Sequence, residues 1–138
     1  MKKEELVVGM KDSMVHTVTS EDIYCFAGVS HDTNPVHVNE SFAKTTAFGQ
    51  RIAHGMLSAS YISAVLGNKI PGNGCIYLGQ TLSFKAPCLI GDTITTTAEI
   101  IEIKDKGSKA IVTLHTFCTN QNGVVITDGQ ATVMVYFN

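Results

Sequence analysis

A carboxylate and an imidazole flank a bend in Ser30-His31-Asp32-Thr33-Asn34-Pro35-Val36-His37. Such a pair can work as acid and base if the chain turns both side chains towards one point. Asn34-Pro35 supplies the turn, because proline fixes its own φ and pushes the residue before it out of the helical region. The stretch therefore reads as a bent loop, neither helix nor strand, with Asp32 and His37 on either side of the bend. A lone D-x-N-P is more often an ordinary turn, since Asp and Asn bond their own backbone. Two features add weight to a site: His37 follows at once, and His54 heads an apolar helix in Arg51-Ile52-Ala53-His54-Gly55-Met56. A metal site built from His31, His37 and His54 is a weaker alternative.

The elements that must hold these residues follow from periodicity. Residues 13–19 alternate as a first strand. Thr19 and Ser20 before Glu21-Asp22 mark a helix start, with a hydroxyl as cap and acids at the positive end; the helix runs to Gly28 and delivers the chain into the Asp32–His37 loop. Asn39 caps one or two further helical turns. Over 55–67, apolar residues occupy most faces and charge is absent until Lys69, which predicts a buried helix. Ser58, Ser60 and Ser63 lie within it, and a helical serine ordinarily bonds a carbonyl one turn back. The remainder is strand after strand: 75–85, 93–104, 109–119 and 124–137, joined by turns at Ile90-Gly91-Asp92, Asp105-Lys106-Gly107 and Asn120-Gln121-Asn122-Gly123. Strands joined by tight turns form an antiparallel meander. One face of it needs cover, and the apolar helix is the segment available. The expected architecture is α+β, a curved antiparallel sheet wrapped around one long buried helix.

The chain of 138 residues is expected to form one domain, 1–138, with a substantial core. Its net charge of -2 gives no electrostatic case for nucleic acid or anionic membranes. No apolar run reaches spanning length, and Met1-Lys2-Lys3-Glu4-Glu5 lacks the apolar core of a signal peptide. The cytoplasm is the expected compartment. Cys25, Cys75, Cys88 and Cys118 form no C-x-x-C pair and lie in apolar surroundings, so four buried, reduced thiols are expected.

With these residues assembled, the chain resembles the MaoC-like (R)-specific enoyl-CoA hydratases, which have the hot-dog fold. The similarity rests on residues 26–37, Arg51-Ile52-Ala53-His54-Gly55-Met56-Leu57, Tyr77-Leu78-Gly79-Gln80-Thr81-Leu82-Ser83-Phe84, and Pro87 with Gly91-Asp92. It covers nearly the whole chain. One departure is His31, where that family usually carries glycine or another small residue. The resemblance implies reversible addition of water to a trans-2-enoyl-CoA, giving (R)-3-hydroxyacyl-CoA. It implies that Asp32 and His37 hold the reacting water, that Asn34 fixes the loop and that the Gly55 N–H binds the thioester oxygen. It also implies that Ser63 supports the site. His54, Met56 and Leu66 are the expected pocket residues. No cofactor is implied, coenzyme A being part of the substrate. A homodimer is implied, joined sheet edge to sheet edge with the site between subunits.

The chemistry is coherent without the resemblance. Attack of water on the β-carbon needs a base, an acid for the α-carbon and a group to hold the enolate oxygen. Gly55, at a helix N-terminus, offers unpaired N–H groups and room for close approach. Asp32 can be the base and His37 the proton donor, or the two can share one water. The rivals are a hot-dog acyl-CoA thioesterase, a hydratase or dehydratase acting on acyl carrier protein thioesters, and a non-catalytic acyl-binding subunit.

Overall fold

The computed structural model describes Met1–Asn138. A short 3-10 turn, Lys3–Glu5, precedes β1 (Lys11–Thr17), α1 (Ser20–Ser30), α2 (Pro35–Val38), α3 (Glu40–Ala43) and α4 (Gly55–Asn68). The strands β2 (Ile76–Gln80), β3 (Ser83–Phe84), β4 (Thr93–Asp105), β5 (Lys109–Thr119) and β6 (Val125–Tyr136) complete the chain. All strand pairings are antiparallel and the order is β1-β4-β5-β6-β2, with β3 also paired to β6. The architecture is the expected α+β hot-dog arrangement.

Alternation builds the core. Successive side chains of a strand point to opposite faces, so Ile94, Ala98 and Ile100 of β4 turn inward together with Val112 and Leu114 of β5 and Val133 of β6. Leu57, Ile62, Val65 and Leu66 of α4 pack into the same cluster. The helix is less enclosed than its composition suggests: Met56, Ser60 and Ser63 share one exposed side, while Ser58 is buried.

Three further expectations need correction. Only β4, β5 and β6 form a meander; β1 and β2 lie outside it, on β4 and β6 respectively. Residues 75–85 are two strands rather than one. The register shifts between Tyr77 and Gly79, and the break that follows lies against Gly129, where any side chain would collide with the Thr81 carbonyl. Cys25 is exposed and Cys75 only half-buried, while Cys88 and Cys118 are buried. No helix is long and apolar enough to cross a membrane.

Candidate active site

The local sequence shapes the loop before tertiary contacts fix it. Thr19 caps α1 by accepting from the Asp22 N–H, while the Asp22 carboxylate accepts from the Thr19 N–H, a reciprocal arrangement that fixes where the helix begins. The helix ends at His31, whose φ of 65° is left-handed. Glycine is favoured there because it has no Cβ to resist that conformation, so His31 keeps the backbone geometry at some conformational cost. The chain then reverses. Asp32 Oδ1 accepts from the Asn34 N–H at 3.1 Å, and Asn34 Oδ1 accepts from the Val36 N–H at 3.2 Å. Asn34 thereby caps α2, with Pro35 in its first turn, where a missing N–H costs nothing. The expected loop is therefore helical over its last part. Pro35 starts that one turn instead of forbidding it, and His37 rides on it.

The segment before α4 braces the loop from beneath. His37 Nδ1 lies 2.8 Å from the Ile52 carbonyl oxygen and His54 Nε2 lies 2.8 Å from that of Asp32. A carbonyl can only accept, so each of these nitrogens carries the hydrogen. His37 is left with a lone pair on Nε2, and His54 with one on Nδ1. The two rings stack with centroids 3.9 Å apart. Arg51, only 6% exposed, donates from Nε to the His37 carbonyl (2.6 Å) and from a terminal nitrogen to Ser20 Oγ (2.9 Å), with its guanidinium over the Tyr24 ring. Burial pushes the His37 imidazole below its ordinary value of 6.5; the Ile52 carbonyl and Asp32 oppose this, and His54 reinforces it.

Beside this group lies a pocket of about 310 Å³, whose lining includes His54, Gly55, Ser58, Phe84, Cys88 and Thr127. The Gly55 and Met56 N–H groups bond nothing within the chain. They are the orphan donors of a helix start and carry its partial positive charge. Phe84 rests on Gly55 so closely that a Cβ there would come within 2.9 Å of the ring. Ser58 donates to the Gly55 carbonyl at 2.7 Å and pairs with Thr127 Oγ1 at 2.6 Å, which ties the first turn of α4 to β6. Burial, with Asp92 and Cys118 adding to it, pushes the Cys88 thiol up to about 12, so it is no nucleophile at neutral pH.

The structure thus brings Asp32, His37 and His54 together, with ligand-type atoms within 4.8 Å of one another. Asn34 and Gly55 stand where the sequence places them, one fixing the loop and one at the pocket. Ser63 does not join them: it is exposed, makes no hydrogen bond, and lies about 12 Å along the helix from Gly55, eight residues at 1.5 Å each. Met56 is 54% exposed and does not line the pocket, and Leu66 is a core residue. Asp32, His37 and His54 are also the one set of such side chains near enough to share a cation; His31 stands apart from it. Arg51 and the Ser58–Thr127 pair escaped the sequence reading. A lone arginine next to an apolar run is a signal for the first; nothing local signals the second, because its halves are 69 residues apart.

The MaoC-like domain family matches residues 8–121. The chain belongs to the MaoC-like family. Its relatives include the (R)-specific enoyl-CoA hydratase of Rhodospirillum rubrum, 53% identical over 132 residues, which are 96% of this chain and 90% of that protein. The solved (R)-hydratase of Aeromonas caviae is 41% identical and superposes with a TM-score of 0.89, over 94% of this chain and 97% of that one. The unliganded R-hydratase of Pseudomonas aeruginosa is likewise 41% identical, with a TM-score of 0.90 over 98% and 85%. Among MaoC-like proteins this chain is therefore similar, over nearly its full length, to proteins that carry the hydratase name.

Proposed function

We propose that this MaoC-like protein is an (R)-specific enoyl-CoA hydratase, adding water reversibly to a trans-2-enoyl-CoA to give (R)-3-hydroxyacyl-CoA. One observation carries the reading: the Asp32 carboxylate and the His37 imidazole come within 4.8 Å of each other, Nε2 is the acceptor left on that ring, and the free N–H of Gly55 directly follows His54 of the same cluster in the chain. Two acceptors this close can be satisfied together by a molecule with two O–H donors, a water. Its oxygen lone pair then faces the β-carbon of the substrate. As the C–O bond forms, His37 takes one proton while Asp32 holds the other O–H. The C=C electrons move to the thioester oxygen, where the Gly55 N–H stabilises the charge. The imidazolium returns its proton to the α-carbon and the thioester carbonyl re-forms. Water is thus added with every atom placed. Asn34 holds the loop, and no cofactor enters beyond the coenzyme A of the substrate.

The (R) product is supported by the name of the 53% identical relative. The deactivated Cys88 thiol speaks against a covalent thioesterase route. The proposed functional unit is a homodimer in the cytoplasm. The test is incubation with crotonyl-CoA: enoyl absorbance should fall without release of free thiol, and the product should be the (R)-3-hydroxy thioester. Free thiol would identify the thioesterase instead. Turnover unchanged after dialysis against EDTA is expected, and a loss restored by a divalent cation would overturn the metal-free scheme.

A further inference from the structure

His54 has no part in the steps above, yet it is among the most enclosed polar side chains of the protein, 2% exposed. Three of its ring contacts have a direction. Nε2 bonds the backbone oxygen of Asp32, one face stacks on His37 and Phe26 meets the ring in an edge-on contact with centroids 4.9 Å apart. Its Nδ1 is buried with no partner. A buried acceptor left without a donor is destabilising, and an apolar side chain would avoid that cost in a residue that merely filled space. A histidine here does what an apolar residue cannot: it offers a flat ring to one member of the acid/base pair and a donor to the backbone of the other.

We propose that His54 is a positioning residue of the hydration reaction, fixing the Asp32 backbone through Nε2 and the plane of the His37 ring by stacking. The inference rests on the hydratase reading. Asp32 and His37 belong to different turns, joined by the bend at Asn34-Pro35. His54 touches both, bonding the Asp32 backbone oxygen and stacking on the His37 ring. With the Asp32 carbonyl pinned and the His37 ring held flat, the carboxylate and the Nε2 lone pair keep a constant separation for one water. A displacement of about 1 Å in such a pair can cost on the order of a hundredfold in rate. The ionisable groups around His37 are Asp32 from the loop, His54 from the head of α4, and Arg51, which reaches the His37 backbone oxygen. Removing the stacked ring lets water reach His37, so its pKa should return towards 6.5.

Two variants separate the contacts. His54→Gln keeps a donor near the Nε2 position and loses the flat ring; His54→Phe keeps a ring and loses the donor. Folded His54→Gln should lose about ten- to a hundredfold in kcat for crotonyl-CoA with little change in KM, and the acidic limb of its pH profile should move to higher pH. Folded His54→Phe should lose kcat to a similar degree, with the limb moved less than in His54→Gln because the ring still shields His37 from water. A kcat within twofold of wild type in either, a rise in KM alone, or an unmoved limb in His54→Gln would make His54 a wall of the pocket and overturn the proposal. Imidazole 15N spectra of the unaltered protein provide a test independent of any variant. The hydrogen should sit on Nε2 of His54 and on Nδ1 of His37. The opposite tautomer at His54 removes the bond to Asp32 and sinks the proposal, whereas absence of hydration by the wild type would sink the hydratase reading alone.

Discussion

Asp32 and His37 bind one water between them in the proposed reaction, so each is needed for the same transition state. Asp32→Asn keeps the shape of the side chain but replaces one acceptor oxygen by a donor. His37→Gln keeps polarity but cannot cycle a proton. Each should cost about 10²–10⁴-fold in turnover, and the double variant should be scarcely worse than the poorer single one, because groups that act as a unit do not add. Crotonyl-CoA kinetics on variants shown by circular dichroism to be folded are the check; more than about a tenth of wild-type turnover in either single variant lies outside the acid–base range and rejects the shared water. The pH profile has a definite sign. The fold lowers the His37 pKa below 6.5, so Nε2 stays unprotonated to a lower pH than a free imidazole, and kcat/KM should fall only as the pH drops through that lowered value. The same shift links to stability: the unfolded ring takes up its proton first, so the contribution of His37 is complete above 6.5 and is lost as the pH falls below it. A profile whose acidic limb lies above 6.5 would contradict the burial of this ring. The pair was legible in the sequence because its bend is local, made by Asn34 and Pro35. The bracing of the pair was not, because Arg51, Ile52 and His54 reach it through tertiary contacts to backbone oxygens, and a backbone oxygen leaves no mark on a sequence.

Among the elements, the extent of α4 is legible in the sequence and its facing is not. Its length follows from an apolar run bounded by glycine and an Asn-Lys end. Which serine turns inward depends on the sheet, and it is Ser58, bonded to Thr127 of β6, rather than the exposed Ser63. The long strands β4, β5 and β6 were legible from β-branched density and turn residues. The break between β2 and β3 was not, since it depends on Gly129 lying across from Thr81. The Ser58 hydroxyl donates to the Gly55 carbonyl, so the Thr127 hydroxyl must donate to Ser58. That order of donors gives an asymmetric prediction. Ser58→Ala strands a buried Thr127 hydroxyl and should cost about 1–3 kcal/mol. At about 3–4 °C of Tm per kcal/mol for a domain of this size, that is roughly 3–12 °C. Thr127→Val leaves Ser58 still bonded to Gly55 and should cost less. Thermal unfolding of both variants decides it, and equal or reversed losses would mean the donors run the other way.

For the whole molecule, the two edges of the sheet differ in a way that bears on assembly. An unpaired edge is a template for another strand, and monomeric proteins guard it with charge. The β1 edge carries Lys11, Asp12 and His16. The β2 edge carries Ile76, Tyr77 and Leu78, which are 42%, 39% and 51% exposed, and no charge between them. Its partner β6 occupies one side only, so a row of backbone donors and acceptors faces outward. A second copy running antiparallel across a two-fold axis would satisfy both deficits at once, since the same patch meets itself in such an interface. Light scattering at micromolar protein should therefore give twice the chain mass of 14.8 kDa. Leu78→Lys places a charge on that edge in both protomers and should shift the protein towards monomer, while Lys11→Ala on the opposite edge leaves the dimer intact. If the site needs its neighbour, the specific activity of Leu78→Lys should rise with protein concentration as dimers re-form, and that of the wild type should not. Full activity at a mass of 14.8 kDa would remove the dimer from the proposal and leave the pocket of a single chain as the complete site.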